Sequence, residues 1–198
     1  MIKAVIFDMD GLLVDSETLA MRTVLKVAPE LGVELEPGEE KNIVGRTARK
    51  FFTELLEKNV STVNPIEAVD VFHHSYEKLL STELEAFEGA KTLPKELKDQ
   101  GFRLALVSGS TTTQVNTILN FLGVKDLFEV IVSVDDITHS KPNPEGFLLG
   151  AQKLGVDPEE CVVLEDATAG VRAGKAAGMR VIGVRNNGDQ DLSEADEV

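Results

Sequence analysis

Ile2–Gly11 (IKAVIFDMDG) begins with a mostly apolar, β-branched run, Ile2–Phe7, and ends with two aspartates and a glycine. A run of this kind is typical of a strand that is covered on both faces, and we assign the first strand to Ile2–Phe7. Similar runs recur further along the chain, at Phe102–Val107, Val130–Val134, Cys161–Leu164 and Val181–Val184. The sequence therefore predicts five short strands buried on both sides.

Helical patterns lie between the later strands. Two apolar stripes repeat with the period of an α-helix: Val115, Ile118, Leu119 and Leu122, then Phe147, Leu148, Ala151 and Leu154. An alternation of strands and helices predicts a parallel sheet with helices on both faces. The fold class expected is therefore α/β, with a Rossmann-like sheet.

The alternation is interrupted from Asp15 to about Glu88, where helical stripes follow one another without a strand between them. Helix-capping residues stand before these stripes, at Asp15 or Ser16, at Thr47 and at Asn64–Pro65. Glu34–Glu40 (ELEPGEE) is expected to be a solvated loop. We predict an α/β core formed by residues 1–14 and 89–198, with a helical cap at 15–88 inserted after the first strand.

Composition limits the classes of function that fit the chain. Of its 198 residues, 42% are apolar, and the net charge is −14. The apolar content is enough for a core, while the negative field disfavours nucleic acids and anionic membrane surfaces as partners. There is no apolar run near the ~18 residues of a membrane span, Met1–Gly11 lacks the pattern of a signal peptide, and Cys161 is the single cysteine. We expect a cytoplasmic monomer.

Polar residues and glycines follow four of the predicted strands. They are Asp8, Asp10 and Gly11; Ser108, Gly109 and Ser110; Asp135, Asp136, His139, Ser140 and Lys141; and Glu165 and Asp166. Ligands of open parallel sheets bind at the carboxyl ends of the strands, where these residues converge. Clustered carboxylates repel one another and lose hydration, so they require a compensating cation. Oxygen ligands of this kind suit Mg²⁺.

Each of these segments also has a purely structural interpretation. Asp8 and Asp10 could be turn or cap residues at a strand end. Ser108–Ser110 could bind an anion at a helix start, or Ser110 or Thr111 could simply cap that helix. Lys141 could be an ordinary surface lysine, although the prolines that follow it stiffen its loop.

Taken together, the residues match the needs of phosphate-ester hydrolysis, one of the slowest uncatalysed reactions. A carboxylate nucleophile divides the reaction into two steps through an aspartyl-phosphate. A metal ion and a lysine neutralise the phosphoryl oxygens. A second carboxyl group gives a proton to the leaving alcohol and later takes one from water.

The chain resembles the haloacid dehalogenase superfamily, in its subgroup with a helical cap after the first strand. That subgroup holds β-phosphoglucomutase, phosphoglycolate phosphatase and sugar-phosphate phosphatases. The segments that carry the resemblance are Val5–Ser16 (VIFDMDGLLVDS), Leu106–Ser110 (LVSGS), Ser140–Glu145 (SKPNPE) and Val163–Met179 (VLEDATAGVRAGKAAGM).

The resemblance implies a role for each site residue. Asp8 would be the phosphorylated nucleophile, and Asp10 the general acid and base, which also offers its backbone carbonyl to Mg²⁺. Lys141 would bridge Asp8 and the phosphate. The phosphate would be bound by Ser108, Gly109 and Ser110, the distal part of the substrate by Arg46, and the metal by Asp8, Asp10, Glu165 and Asp166. The glycines Gly170, Gly174 and Gly178 would allow close helix packing.

The choice between a phosphatase and a mutase depends on the cap. Sugar-phosphate mutases of the subgroup carry a histidine early in the first cap helix. Here Asp15–Glu17 is followed by Thr18, Leu19 and Ala20, with no histidine nearby. His73 and His74 are expected to be solvated surface residues. We therefore predict a Mg²⁺-dependent phosphatase acting on a small phosphorylated metabolite, such as a sugar phosphate. The alternatives are a sugar phosphomutase and a non-enzymatic phospho-receiver module, a class that lacks a helical insertion.

Overall fold

The computed structural model describes residues 1–44, 47–186 and 190–198, which contain five strands and seven α-helices. The strands are β1 (Ala4–Phe7), β2 (Arg103–Val107), β3 (Val130–Val132), β4 (Cys161–Glu165) and β5 (Arg180–Gly183). The α-helices are α1 (Ser16–Glu30), α2 (Ala48–Lys58), α3 (Pro65–Leu80), α4 (Leu93–Asp99), α5 (Thr112–Leu122), α6 (Glu145–Leu154) and α7 (Thr168–Ala176). The predicted α/β class is confirmed.

The sheet is parallel throughout, with the strand order β3-β2-β1-β4-β5. Strand β1 is central, and Phe7 is in register with Leu106 of β2 on one side and with Leu164 of β4 on the other. The direction of winding reverses at β1. In open parallel sheets the ligand crevice lies at this switch point, beyond the carboxyl ends of the strands. The chain leaves β1 at this crevice through Asp8.

Both faces of the sheet are buried, which explains why the strands are apolar runs without alternation. On one face, Ile6 and Val163 belong to a core that includes Phe147 and Leu154 of α6 and Val171 of α7. The residues that point the other way are buried as well, namely Val5, Phe7, Leu104 and Leu106. Phe7 packs edge-to-face against Phe128, with 5.6 Å between the ring centroids.

Strand β3 is shorter than predicted, because it ends at Val132 and not at Val134. The carboxylate of Asp136 accepts hydrogen bonds from both the backbone N–H and the hydroxyl of Ser133, each at 2.9 Å. These bonds close a 3-10 turn over Val134–Asp136, so the chain leaves the sheet two residues early.

The chain divides into two compact units. One is an α/β unit formed by Met1–Asp15 and Ala86–Val198, and the other is a helical unit, Ser16–Glu85. In the helical unit, Thr47 caps α2 by accepting a hydrogen bond from the backbone N–H of Lys50, and Asn64 caps α3 in the same way through Ile66. Both predicted starts are confirmed.

The acidic segment Glu34–Glu40 is not wholly a solvated loop, since a 3-10 helix begins at Glu39 and continues to Ile43. The Lys58 ammonium on α2 lies 2.9 Å from carboxylate oxygens of both Glu36 and Glu39. Glu39 also accepts a hydrogen bond from the Glu36 N–H, at 2.9 Å. These contacts order the second half of the segment.

Two further observations concern membrane-spanning helices and the single cysteine. Among the described residues, the helices are all too short or too polar to cross a lipid bilayer. Cys161 is a free thiol, and it is buried in β4.

Val60 provides a test of backbone strain in the helical unit. It follows α2 with φ +52°, a left-handed conformation that a β-branched residue adopts at a cost, and its side chain is 88% exposed. Val60→Gly should therefore raise the free energy of unfolding by about 0.5–1 kcal/mol, measured by urea denaturation. Val63→Gly, in the same connection but without a positive φ, should lower it. Equal effects of the two variants would contradict the assignment of strain.

Candidate active site

Asp8 continues the central strand into the crevice. Its N–H donates to the Leu164 carbonyl at 3.0 Å, so the backbone still pairs with β4, and the carboxylate is buried. The Lys141 ammonium donates to Asp8 Oδ1 and to Glu165 Oε1, the latter at 2.5 Å. It also lies 5.0 Å from the centroid of the Phe147 ring. Lys141 is therefore a site residue and not a surface lysine.

Glu165 is fixed from two sides. Its Oε1 accepts from Lys141, while its Oε2 accepts from the backbone N–H of Ala167 at 2.8 Å. A Cβ on Gly170 would lie 1.6 Å from Glu165 Oε1, so α7 leaves room for this carboxylate only because residue 170 is glycine. The prediction that Gly170 allows close helix packing is confirmed, and the group against which α7 packs here is the Glu165 carboxylate.

Three buried carboxylates meet at this end of the crevice. Asp8, Glu165 and Asp166 each place one oxygen within 4.8 Å of the others. Mg²⁺ binds oxygen ligands at about 2.0–2.1 Å in octahedral geometry, so ligand oxygens on one ion lie up to about 4.2 Å apart. The candidate ligand atoms of the three carboxylates are all oxygens, and the distances between them are close to this limit. The residues present therefore fit a hard divalent cation.

The pKa of the Asp8 carboxyl lies well above its ordinary value, chiefly because the group is buried. The Lys141 ammonium opposes this effect, and the neighbouring carboxylates of Glu165, Asp166 and Asp10 raise the pKa further. A single ammonium does not compensate for so many acids. A cation bound among the carboxylates would favour the ionised form of Asp8.

Lys141 is held in its charged form. Burial lowers the pKa of its ammonium, but the carboxylates of Asp8 and Glu165 outweigh burial, and the pKa lies above its ordinary value. The side chain is 19% exposed. A positive charge thus stands beside the Asp8 oxygen.

The side chain of Asp10 is not one of the three clustered carboxylates, and it forms hydrogen bonds with the segment after β2. Its Oδ2 accepts hydrogen bonds from the hydroxyls of Ser108 and Ser110, each at 2.9 Å. Ser108 in turn accepts from the Ser110 N–H, at 2.9 Å. Thr111, not Ser110, caps α5. Gly109 is exposed, with no heavy atom within 4 Å of where a Cβ would lie, so a ligand could approach its backbone closely.

Several residues singled out in the sequence are not brought into this site. Asp135 caps α5 by accepting from the Thr112 N–H at 2.9 Å, and Asp136 closes the turn after β3. His139 is exposed and pairs with Glu145 at 3.0 Å. On α3, His73 and His74 are exposed, as expected. The predicted substrate contact Arg46 lies outside the described residues.

Asn186 is a site residue that the sequence analysis missed. Its side-chain amide donates to Asp166 Oδ2 at 2.9 Å and to the Gly11 carbonyl at 2.8 Å. The predicted site is built from the ends of the first four strands only, and Asn186 lies just after the fifth strand, β5. Its place beyond the carboxyl end of a parallel strand is the signal that could have found it.

Lys141 offers a direct test of the site electrostatics. Lys141→Met should lower the free energy of unfolding by about 3–5 kcal/mol, because it leaves buried carboxylates without their ammonium partner. The measurement is urea denaturation at pH 7 in the presence of EDTA. Lys153→Met is the matched control, since the Lys153 ammonium lies 3.6 Å from Asp136 at the surface and should cost less than about 1 kcal/mol. A similar loss in both variants would contradict the buried ion pair.

Comparison with known proteins agrees with this architecture. The chain is 38% identical over 198 residues to Protein SUPPRESSOR OF QUENCHING 1 of Arabidopsis thaliana, but it spans only 18% of the length of that chloroplastic protein. It is 30% identical to fructose-1-phosphate phosphatase YqaB of Escherichia coli, over 91% of this chain and 95% of that protein.

A solved structure extends the similarity to the whole fold. The crystal structure of β-phosphoglucomutase from Clostridium difficile superimposes with a TM-score of 0.79 at 27% identity, covering 100% of this chain and 90% of the other. In addition, residues 5–184 match the model of the haloacid dehalogenase-like hydrolases. The predicted resemblance is confirmed, and this chain belongs to the haloacid dehalogenase-like hydrolase family.

Proposed function

We propose that the chain is a Mg²⁺-dependent phosphatase that hydrolyses a small phosphorylated metabolite, specifically a sugar phosphate. The observation that carries this proposal is the Lys141 ammonium shared by the buried carboxylates of Asp8 and Glu165. It joins a potential nucleophile to a fixed positive charge, next to a carboxylate cluster that fits a divalent cation. The name of the similar YqaB protein, a fructose-1-phosphate phosphatase, supports the substrate class.

In the first half of the proposed reaction, an Asp8 oxygen attacks phosphorus and the bond to the leaving alcohol breaks. Asp10 gives its proton to that alcohol. In the second half, Asp10 takes a proton from water and the water oxygen attacks phosphorus. The bond between the Asp8 oxygen and phosphorus breaks, which releases inorganic phosphate and restores the Asp8 carboxylate. The hydroxyls of Ser108 and Ser110 support this role because they hold one Asp10 oxygen in place.

The phosphoryl group is proposed to be bound by Ser108, the Gly109 N–H and Ser110, while Lys141 neutralises its oxygens together with Asp8. Asp8 and Asp166 would hold Mg²⁺ through their carboxylates, and Asp10 through its carbonyl. Glu165 completes the acidic set, but its oxygens already accept from Lys141 and Ala167, so its main role would be to hold the lysine. When bound, Mg²⁺ supplies neutralisation of the charge that develops on the phosphoryl oxygens.

A sugar phosphomutase is the second candidate, and the similarity to β-phosphoglucomutase favours it. Helix α1 (SETLAMRTVLKVAPE) contains no histidine, whereas the mutases of the subgroup are expected to carry one there. This absence supports hydrolysis over isomerisation. A phospho-receiver module does not agree with the hydrolase family or with the inserted helical unit.

The roles of the helical unit as a cap and of Arg46 in substrate binding stay predictions. The same holds for the prediction of a cytoplasmic monomer that binds neither nucleic acid nor membrane.

Asp8→Asn tests the nucleophile. The variant should lose p-nitrophenyl phosphate hydrolysis by at least about 10³-fold in Mg²⁺, because an amide oxygen cannot form the acyl-phosphate. Thermal unfolding should show that it stays folded. Asp135→Asn changes a carboxylate at the same sheet edge but outside the site, and it should keep activity within about threefold. Turnover retained by Asp8→Asn would refute the assignment.

A direct comparison separates the phosphatase from the mutase. Released phosphate and sugar-phosphate isomers are to be measured in one reaction, with glucose 1-phosphate as substrate and with a bisphosphate primer present. We expect phosphate release to exceed isomer formation, because α1 lacks the histidine expected of a mutase. Isomerisation faster than phosphate release would overturn the choice of phosphatase.

A further inference from the structure

The segment just after β5 reaches back to the acidic cluster through Asn186. The side-chain NH₂ group of this residue donates two hydrogen bonds, one to Asp166 Oδ2 at 2.9 Å and one to the carbonyl of Gly11 at 2.8 Å. A backbone carbonyl can only accept a hydrogen bond, so the Gly11 contact determines which end of the amide faces the site. The NH₂ end therefore points at the Asp166 carboxylate.

The surroundings of Asp166 leave little room for this carboxylate to move. Gly11 has φ +83°, and a Cβ at that position would lie 2.1 Å from Asp166 Oδ2 and 3.1 Å from the Asn186 nitrogen. The carboxylate is thus in close contact with the Gly11 backbone and is held there by the amide. Because Gly11 directly follows Asp10, Asn186 also ties Asp166 to the turn that leaves β1.

A second set of contacts, made by Gln190 and Asp191, lies away from the cluster. Gln190 Oε1 accepts hydrogen bonds from the N–H and the hydroxyl of Thr168, both at 3.3 Å, and the Thr168 hydroxyl also donates to the Asp191 carbonyl at 2.8 Å. These contacts attach Gln190 and Asp191 to the start of α7. Gln190 is therefore a natural control, since it lies four positions after Asn186 in the sequence and its described hydrogen bonds go to Thr168.

We propose that Asn186 is a positioning residue that pre-orients the Asp166 carboxylate and thereby sets the divalent-cation affinity of the Asp8, Glu165 and Asp166 cluster. This inference rests on the metal site of the proposed function. Hydrogen bonds from outer residues to a ligating carboxylate restrict its rotation, so less freedom is lost when the cation binds. Asn186 acts through Asp166 and does not itself ligate the cation.

The test is a titration with Mn²⁺ in which the EPR signal of the free ion reports binding, so that no activity assay is needed. Asn186→Ala should bind Mn²⁺ about 10–100-fold more weakly than the wild-type protein. Asn186→Leu keeps the branching of the asparagine side chain without its donors and should show the same loss. Gln190→Ala should stay within about threefold of wild type. Thermal unfolding in EDTA checks that each variant is folded.

The outcomes separate this inference from the proposed function. If wild type binds Mn²⁺ and Asp166→Asn weakens it, the metal site stands; unchanged affinity in the Asn186 variants then overturns the inference alone. An equal loss in Gln190→Ala also overturns it, because the effect would then not be specific to the hydrogen bond between Asn186 and Asp166. If wild type binds no Mn²⁺, the metal site fails and the inference fails with it.

Discussion

The compensation of buried negative charge by Lys141 is the constraint on which the site depends. Asp8 and Glu165 are almost completely buried, and both carboxylates pair with the Lys141 ammonium that lies between them. The chain as a whole carries a net charge of −14, so an anionic substrate is attracted only by a local positive site. Lys141, the helix start after β2 and a cation held by the acids would together supply one.

The sheet makes this compensation possible because it is parallel. All carboxyl ends of its strands lie at one edge, so residues far apart in the chain become neighbours once the strands pair in register. This is why the residues after β1 and β4 could be assigned to one site from sequence alone. Lys141 could be placed there for the same reason, although it lies in a loop beyond β3. The helical starts at Thr47 and Asn64 were predictable because capping is a local interaction.

The hydrogen-bond partners of the polar residues after the strands were less predictable from the sequence than the positions of these residues at the sheet edge. Asp135 and Asp136 also follow a strand, yet both are used for turns and caps, because nearby N–H and hydroxyl groups satisfy them. The hydrogen bonds of Glu165 depend on the start of α7, which gives this carboxylate a backbone donor at Ala167. Asn186 could not be singled out by type, since an asparagine in a polar connection is ordinary until its neighbours in space are known.

The two glycines beside the acidic pair limit how this site can be altered by laboratory evolution. Gly11 and Gly170 approach Asp166 and Glu165 so closely that even a methyl group would collide with a carboxylate. A mutational library aimed at new activities should therefore leave both codons unvaried.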